Sequence, residues 1–167
     1  MDYLKLDKNK TTQTVFELNI LLADYHIYYQ KLRNFHWNIL GENFFDLHEK
    51  FENLYDDAKL KVDEIAERIL TLRFQPLSNY SDYLKVSNIK ESSSDISDRE
   101  MIATILEDHT KLINQMRKII NVAENAKDEG TIDMIGVYIR ELEKTSWMLD
   151  AWQMNTADVM QKSAISK

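Results

Sequence analysis

A single proline and three glycines are spread over 167 positions, so most of this chain has nothing to stop a helix once it has started. All-β folds need frequent turns, which a chain so poor in turn residues does not supply. The apolar residues agree with long helices. Val15, Leu18, Leu22, Tyr25, Tyr29, Leu32 and His36 follow alternating three- and four-residue steps, and Phe16, Ile20, Ala23 and Ile27 widen that face. This spacing predicts a first helix from Thr12 to His36, behind a short flexible tail of residues 1–11. Residues 38–43, around Gly41, make a short connection, so a second helix from Phe45 to Arg73 returns antiparallel. Its core stripe is Leu47, Phe51, Leu54, Ala58, Val62, Ile65, Ile69 and Leu72, and Pro76 closes it.

The polar, Ser-rich stretch from Leu77 to Ser97 has room for one short helix, Ser81 to Val86. A connection this long lets the chain cross the whole bundle, so the third helix runs parallel to the second. Ser97 followed by Glu100 reads as a capping box. Ile102, Ile105, Leu106, His109, Leu112, Ile113, Met116, Ile119 and Ile120 then carry the third helix to Ala126. A tight turn over residues 127–130 leads to a fourth helix from Thr131 to Met160, followed by a C-terminal tail of residues 161–167. The expected fold is all-α: one four-helix bundle over residues 12–160, with a long crossover between the second and third helices that carries the short one.

The formal net charge is -7, with 28 acidic against 21 basic residues, which argues against a basic nucleic-acid-gripping surface and suits a protein that attracts cations. Lys5, Lys8 and Lys10 face Asp2 and Asp7 near one end, and Lys162 and Lys167 face Asp158 near the other. Tails of such small net charge neutralise few phosphates, so DNA binding is expected to be weak or absent. With no cysteine, disulfides, iron–sulfur clusters and thiolate zinc sites are excluded, and any metal must be held by imidazole and carboxylate. The first residues lack an apolar signal region, and no apolar run approaches the roughly 20 residues of a membrane span. The expected location is therefore the cytoplasm, the nucleoid within it included, with no membrane partner.

The stretch from Asn34 to Ile69 carries the chemistry. On a helical wheel of ~100° per residue with His48 at zero, Glu52 falls near ~40°, Asp63 near ~60° and Glu67 near ~100°. The core stripe lies on the other side of His48, so all four share a face beside the core. His48 and Glu52 are one turn apart, as are Asp63 and Glu67, and each pair can offer two ligands to one ion. The pairs are centred roughly 22 Å apart along the helix, whereas metal–ligand bonds are about 2 Å, so one ion does not reach both. A two-fold axis removes the difficulty. If the second helix packs antiparallel on its copy so that paired residue numbers sum to about 115, Glu52 meets the mate's Asp63 and His48 meets its Glu67, forming two identical mixed sites. Asp56 and Lys59 would form symmetric ion pairs in the same register. His36 joins by position, because the short connection brings the end of the first helix beside the start of the second. Two imidazoles and three carboxylates suit Fe, Mn or Zn.

Taken together, the HW pair at 36–37, the N-x-x-G-x-N-F-F-x-L-H run ending at His48 and the D-E-I-A-E-R run from Asp63 resemble the Dps family, the ferritin-like mini-cages of starved bacteria. The resemblance extends to P-L-S-N-Y-S-D-Y-L after the second helix and to K-T-S-W-M-L-D-A-W-Q in the fourth. It implies a ferritin-like bundle and a homododecamer built from two-fold dimers. It also implies ferroxidase centres at subunit interfaces, where Fe2+ is oxidised, by H2O2 in preference to O2, and stored as ferric mineral. Carried over by position, His36, His48 and Glu52 come from one subunit, Asp63 and Glu67 from its mate. Glu52 stands where the family usually has Asp, one methylene shorter, so direct and water-mediated binding both stay open. None of the four histidines sits in a Glu-x-x-His pair, which disfavours an intra-bundle di-iron site. The segment around Asp128, Glu129 and Asp133 resembles the family's acidic three-fold pore, which would draw in Fe2+. Asp128 and Glu129 also suit the start of a helix.

His26 lies about 80° from His36 around the first helix and His109 sits beside Asp108, so both are expected to be structural, hydrogen-bonded histidines. Trp147 and Trp152 are expected to pack. For Trp37, packing and absorption of stray oxidising equivalents are both open. Other readings are a bundle loaded with Mn or Zn, an oxidase of an organic substrate, a DNA-binding or structural shell without ferroxidase activity, and a helical interaction module with no chemistry.

Overall fold

The computed structural model describes residues 3–154, which are all-helical apart from turns and connections. Its helices are α1 (Lys8–Asn38), α2 (Phe44–Thr71), α3 (Tyr80–Val86), α4 (Asp98–Ala126) and α5 (Glu129–Gln153). The start of α1 lies four residues before the expected Thr12. The Asp7 carboxylate accepts from the backbone N–H groups of Asn9 (2.9 Å) and Lys10 (3.2 Å), a cap that the apolar stripe does not reveal. Lys8 and Lys10 are thereby part of the bundle, Leu4 and Leu6 pack on its core, and the Tyr3 hydroxyl donates to the Thr71 carbonyl (3.0 Å). The end of the fourth helix expected at Met160, the tail 161–167 and its lysines Lys162 and Lys167 lie outside the described residues.

Cross-helix contacts fix the helix directions. Phe35 meets Phe51 and Tyr29 meets Tyr55, so α1 and α2 are antiparallel. Lys31 pairs with Asp108 and Gln115 reaches Glu17, so α1 and α4 are antiparallel too. Glu64 bonds Tyr138 and Arg68 bonds Thr131, which sets α5 antiparallel to α2. It follows that α2 and α4 run parallel, as the long crossover requires. Asp24 anchors that crossover. Its buried carboxylate accepts from Ser87 Oγ (2.8 Å), Asn88 N (2.6 Å) and Asn88 Nδ2 (3.0 Å). Burial raises the carboxyl's pKa, while these donors pull it back.

The core holds Leu18, Leu22, Tyr25 and Leu32 from α1 with most of the expected stripes of α2 and α4, Val62, Leu106, Ile113 and Ile120 packing against it partly buried, and adds Leu21, Tyr28 and Phe35, which the stripe omits. α1 is buried on most sides, so a single stripe understates it; Phe16, by contrast, is 60 % exposed. The capping box forms as read, with Ser97 Oγ accepting from Glu100 N (3.3 Å) and Glu100 Oε2 accepting from Ser97 N (2.8 Å). No helix among the described residues is long and apolar enough to cross a membrane.

Candidate metal centre

The five-residue connection between α1 and α2 sets the end of one helix beside the first turns of the next, and this juxtaposition builds the site. His36 Nδ1 lies 2.8 Å from the His48 carbonyl and His48 Nδ1 lies 2.9 Å from the His36 carbonyl. A carbonyl oxygen only accepts, so each Nδ1 carries the proton. In the neutral rings Nε2 is then the nitrogen with the lone pair, its ring held in orientation by the bond on the other side. The rings stack with centroids 3.7 Å apart; Phe44 stacks on the outer face of His48 (5.0 Å), and Tyr55 presents its edge to His36 (5.3 Å). His36 is 8 % exposed and His48 half-buried, so two imidazoles are held rigidly at the protein surface.

One turn along α2, Glu52 is exposed and accepts from the Tyr55 hydroxyl (3.3 Å). Tyr55 therefore links the carboxylate to His36. Sequence reading missed this residue, although its three-residue offset from Glu52 was available as a signal. Asp63 and Glu67 are exposed further along the same unbroken helix, Glu67 lining a groove with Glu64, Arg68 and Asp133. Thus the chain brings His36 and His48 together, sets Glu52 one turn along α2 with Tyr55 as its partner, and places Asp63 and Glu67 further along the same helix. Among the described residues no group of three or more His, Asp or Glu side chains is close enough to hold one metal ion.

The acidic turn before α5 divides in two. Asp128 is 1 % exposed and caps α5, accepting from Thr131 N (3.1 Å) and Thr131 Oγ1 (2.6 Å) while pairing with Arg68. This matches the helix-start reading of that residue, whereas Glu129 and Asp133 are exposed. Asp128→Ala is expected to lower unfolding stability by about 2 kcal/mol through the lost cap and the stranded Arg68. Glu129→Gln and Asp133→Asn should stay within about 0.5 kcal/mol. Urea unfolding of the three variants checks this.

The other histidines are structural. The Ser146 hydroxyl donates to the Leu142 carbonyl (2.7 Å), so its oxygen accepts from His109 Nδ1 (2.8 Å), and His109 Nε2 accepts from the Tyr28 hydroxyl (2.7 Å). His26 stacks on Tyr83 (4.1 Å) rather than hydrogen-bonding as expected, and its burial lowers its pKa. Trp152 packs against the core, but Trp147 is 57 % exposed, against expectation. Trp37 is also exposed, with the Arg33 guanidinium 4.6 Å above its ring.

Residues 16–158 match the model of the ferritin-like domain. The chain is 40 % identical to DNA protection during starvation protein 2 of Bacillus anthracis, over 84 % of this chain and 96 % of that one. It is 40 % identical to the DNA protection during starvation protein of Porphyromonas gingivalis, over 88 % and 92 % respectively. Among solved structures, the Dps protein of Vibrio cholerae O1, described as a member of a broad superfamily of ferritin-like diiron-carboxylate proteins, superposes with a TM-score of 0.89. The two are 42 % identical, over 92 % of this chain and 97 % of that one. The Dps protein of Bacillus brevis gives a TM-score of 0.85 at 37 % identity, over 87 % and 98 %.

Proposed function

The chain belongs to the Dps family of ferritin-like proteins of iron storage and protection, and on that premise we propose that it is a ferroxidase. Its substrate is Fe2+, its preferred oxidant H2O2, and its product a ferric mineral kept inside a homododecamer built from two-fold dimers. The observation that supports this most is the reciprocal pair of imidazole–carbonyl bonds at the α1–α2 junction, which leaves Nε2 of both rings as the unprotonated nitrogen that a metal would use. A helical interaction module has no use for two stacked histidines held in this way.

In the proposed centre, His36, His48 and Glu52 of one subunit face Asp63 and Glu67 of its mate. The imidazoles supply neutral nitrogen ligands and orientation. The carboxylates supply negative charge that favours Fe3+ over Fe2+ and so promotes loss of an electron. Two Fe2+ give one electron each to one H2O2, which takes up two protons and leaves as two waters. No free hydroxyl radical is released when the two electrons are delivered together. The exposed Glu129 and Asp133 draw Fe2+ towards the shell electrostatically. DNA binding is proposed to be weak, since the acidic balance opposes it.

Native mass spectrometry followed by anaerobic Fe2+ titration, then H2O2 and O2 in turn, tests this reading. The expected outcome is a twelve-chain particle with saturable Fe2+ uptake and ferric absorbance that rises about tenfold faster or more with H2O2 than with O2. His48→Ala should abolish the saturable phase. Uptake and oxidation unchanged by His48→Ala would overturn the assignment, and a gel shift showing tight DNA binding at moderate salt would overturn the view of DNA.

A further inference from the structure

Away from His36 and His48, α1, α2 and α5 border a solvent-open groove of about 360 Å³ lined by Tyr25, Asp57, Lys61 and Glu141 among others. Lys61 is the unusual member. A lysine is rarely buried without compensation, yet Lys61 is 4 % exposed, with its ammonium 2.5 Å from Asp57 Oδ1, 3.1 Å from Glu141 Oε2 and 5.0 Å from the centroid of the Tyr138 ring. Two carboxylates and the face of an aromatic ring all favour positive charge at one point. Tyr25 supplies an independent sign that the point is built for a ligand. It is 1 % exposed, its hydroxyl has no hydrogen-bond partner, and it lines the same groove, where the charges of Asp57 and Glu141 act on it. Burial and then those charges keep the phenol protonated.

We propose that Lys61 is a tethered counter-cation occupying a cation site of Asp57, Glu141 and Tyr25 in the groove between α1, α2 and α5, and that it closes this site to divalent metal. Asp57 and Glu141 are about half exposed, so metal ions from solvent reach them. Such an ion has to displace an ammonium that is covalently held in place and cannot be diluted away, which gives the lysine a high effective concentration against any soluble competitor. It also has to compete with a cation whose charge is already matched by the two carboxylates. This groove is thereby kept metal-free, and divalent ions are left to other sites on the surface or between chains. Lys61 plays this part whether or not iron is oxidised elsewhere on the protein.

Anaerobic Co2+ titration of the whole assembled protein, followed by visible absorption, tests the proposal. Lys61→Met should take up about one more Co2+ per chain than wild type, and Lys61→Met/Asp57→Asn/Glu141→Gln should lose that increment. Lys61→Met with wild-type stoichiometry, in a protein of native mass and helicity, overturns the proposal. Asp57→Asn/Glu141→Gln on its own keeps the question open to test even if Lys61→Met fails to fold. It should bind as many Co2+ as wild type, and a loss of about one per chain means that metal already enters the site. The surface centre is counted separately, because His48→Ala removes its share from every member of the series.

Discussion

Assemblies formed by co-expressing a His36→Ala/His48→Ala chain with an Asp63→Ala/Glu67→Ala chain are expected to oxidise Fe2+ at about one quarter of the wild-type rate per chain, while neither variant alone does so above background. The fraction follows from geometry. In a mixed dimer, one centre combines the damaged half of each chain and is dead, whereas the other combines the intact histidines of one with the intact acids of its mate. Random pairing makes about half of the dimers mixed, and each of these has one working centre of two. Stopped-flow absorbance with H2O2, normalised to chain concentration, measures the rate, and native mass spectrometry measures the mixing. A centre assembled within one chain would show no recovery at any mixing ratio. The α2 helix makes that outcome unexpected, because it runs unbroken from Phe44 to Thr71 and holds Glu52 and Asp63 three turns apart.

How much of this was legible in the sequence depends on the range of the interaction concerned. Helix periodicity is local, so the bundle, the crossover and the Ser97–Glu100 box could all be read directly, and the parallel course of α2 and α4 followed from connection length. The unbroken α2 that carries His48, Glu52, Asp63 and Glu67 was legible for the same reason. What the helical wheel could not carry were contacts across elements. The reciprocal bonds between His36 and His48 depend on how residues 39–43 fold back, and the burial of Asp128 depends on Arg68 arriving from α2. Lys61 sits among apolar positions of α2 and would read as a solvated charge; only Asp57 and Glu141 around it show otherwise. The exposure of Phe16 and Trp147 has a related cause, since an apolar stripe does not say which neighbour covers it.

Acid should destabilise the wild-type protein more steeply than His109→Gln. Burial, and then the positive charge of Lys50, lower the His109 pKa to about 3, whereas an unfolded histidine titrates near ~6.5. Above pH ~6.5 the ring is neutral in both states, and it contributes no slope. Between there and about pH 3 the unfolded chain binds a proton that the folded one refuses. Stability present above the unfolded value is therefore lost as pH falls, by up to about 1.4 kcal/mol per unit. The refusal has a structural basis: Nε2 is an acceptor for Tyr28 and Nδ1 already donates to Ser146, so a second ring proton would break the Tyr28 bond in a site without water access. Gln keeps one donor and one acceptor but does not titrate. Urea unfolding at intervals from pH 7 to pH 5 should show wild type losing about 2 kcal/mol more than the variant, with Asp24 and Asp108, whose buried carboxyls are also shifted, cancelling in the difference. Parallel curves would mean that the folded protein accepts the proton, and the hydrogen-bond directions assigned to Tyr28, His109 and Ser146 would then be wrong.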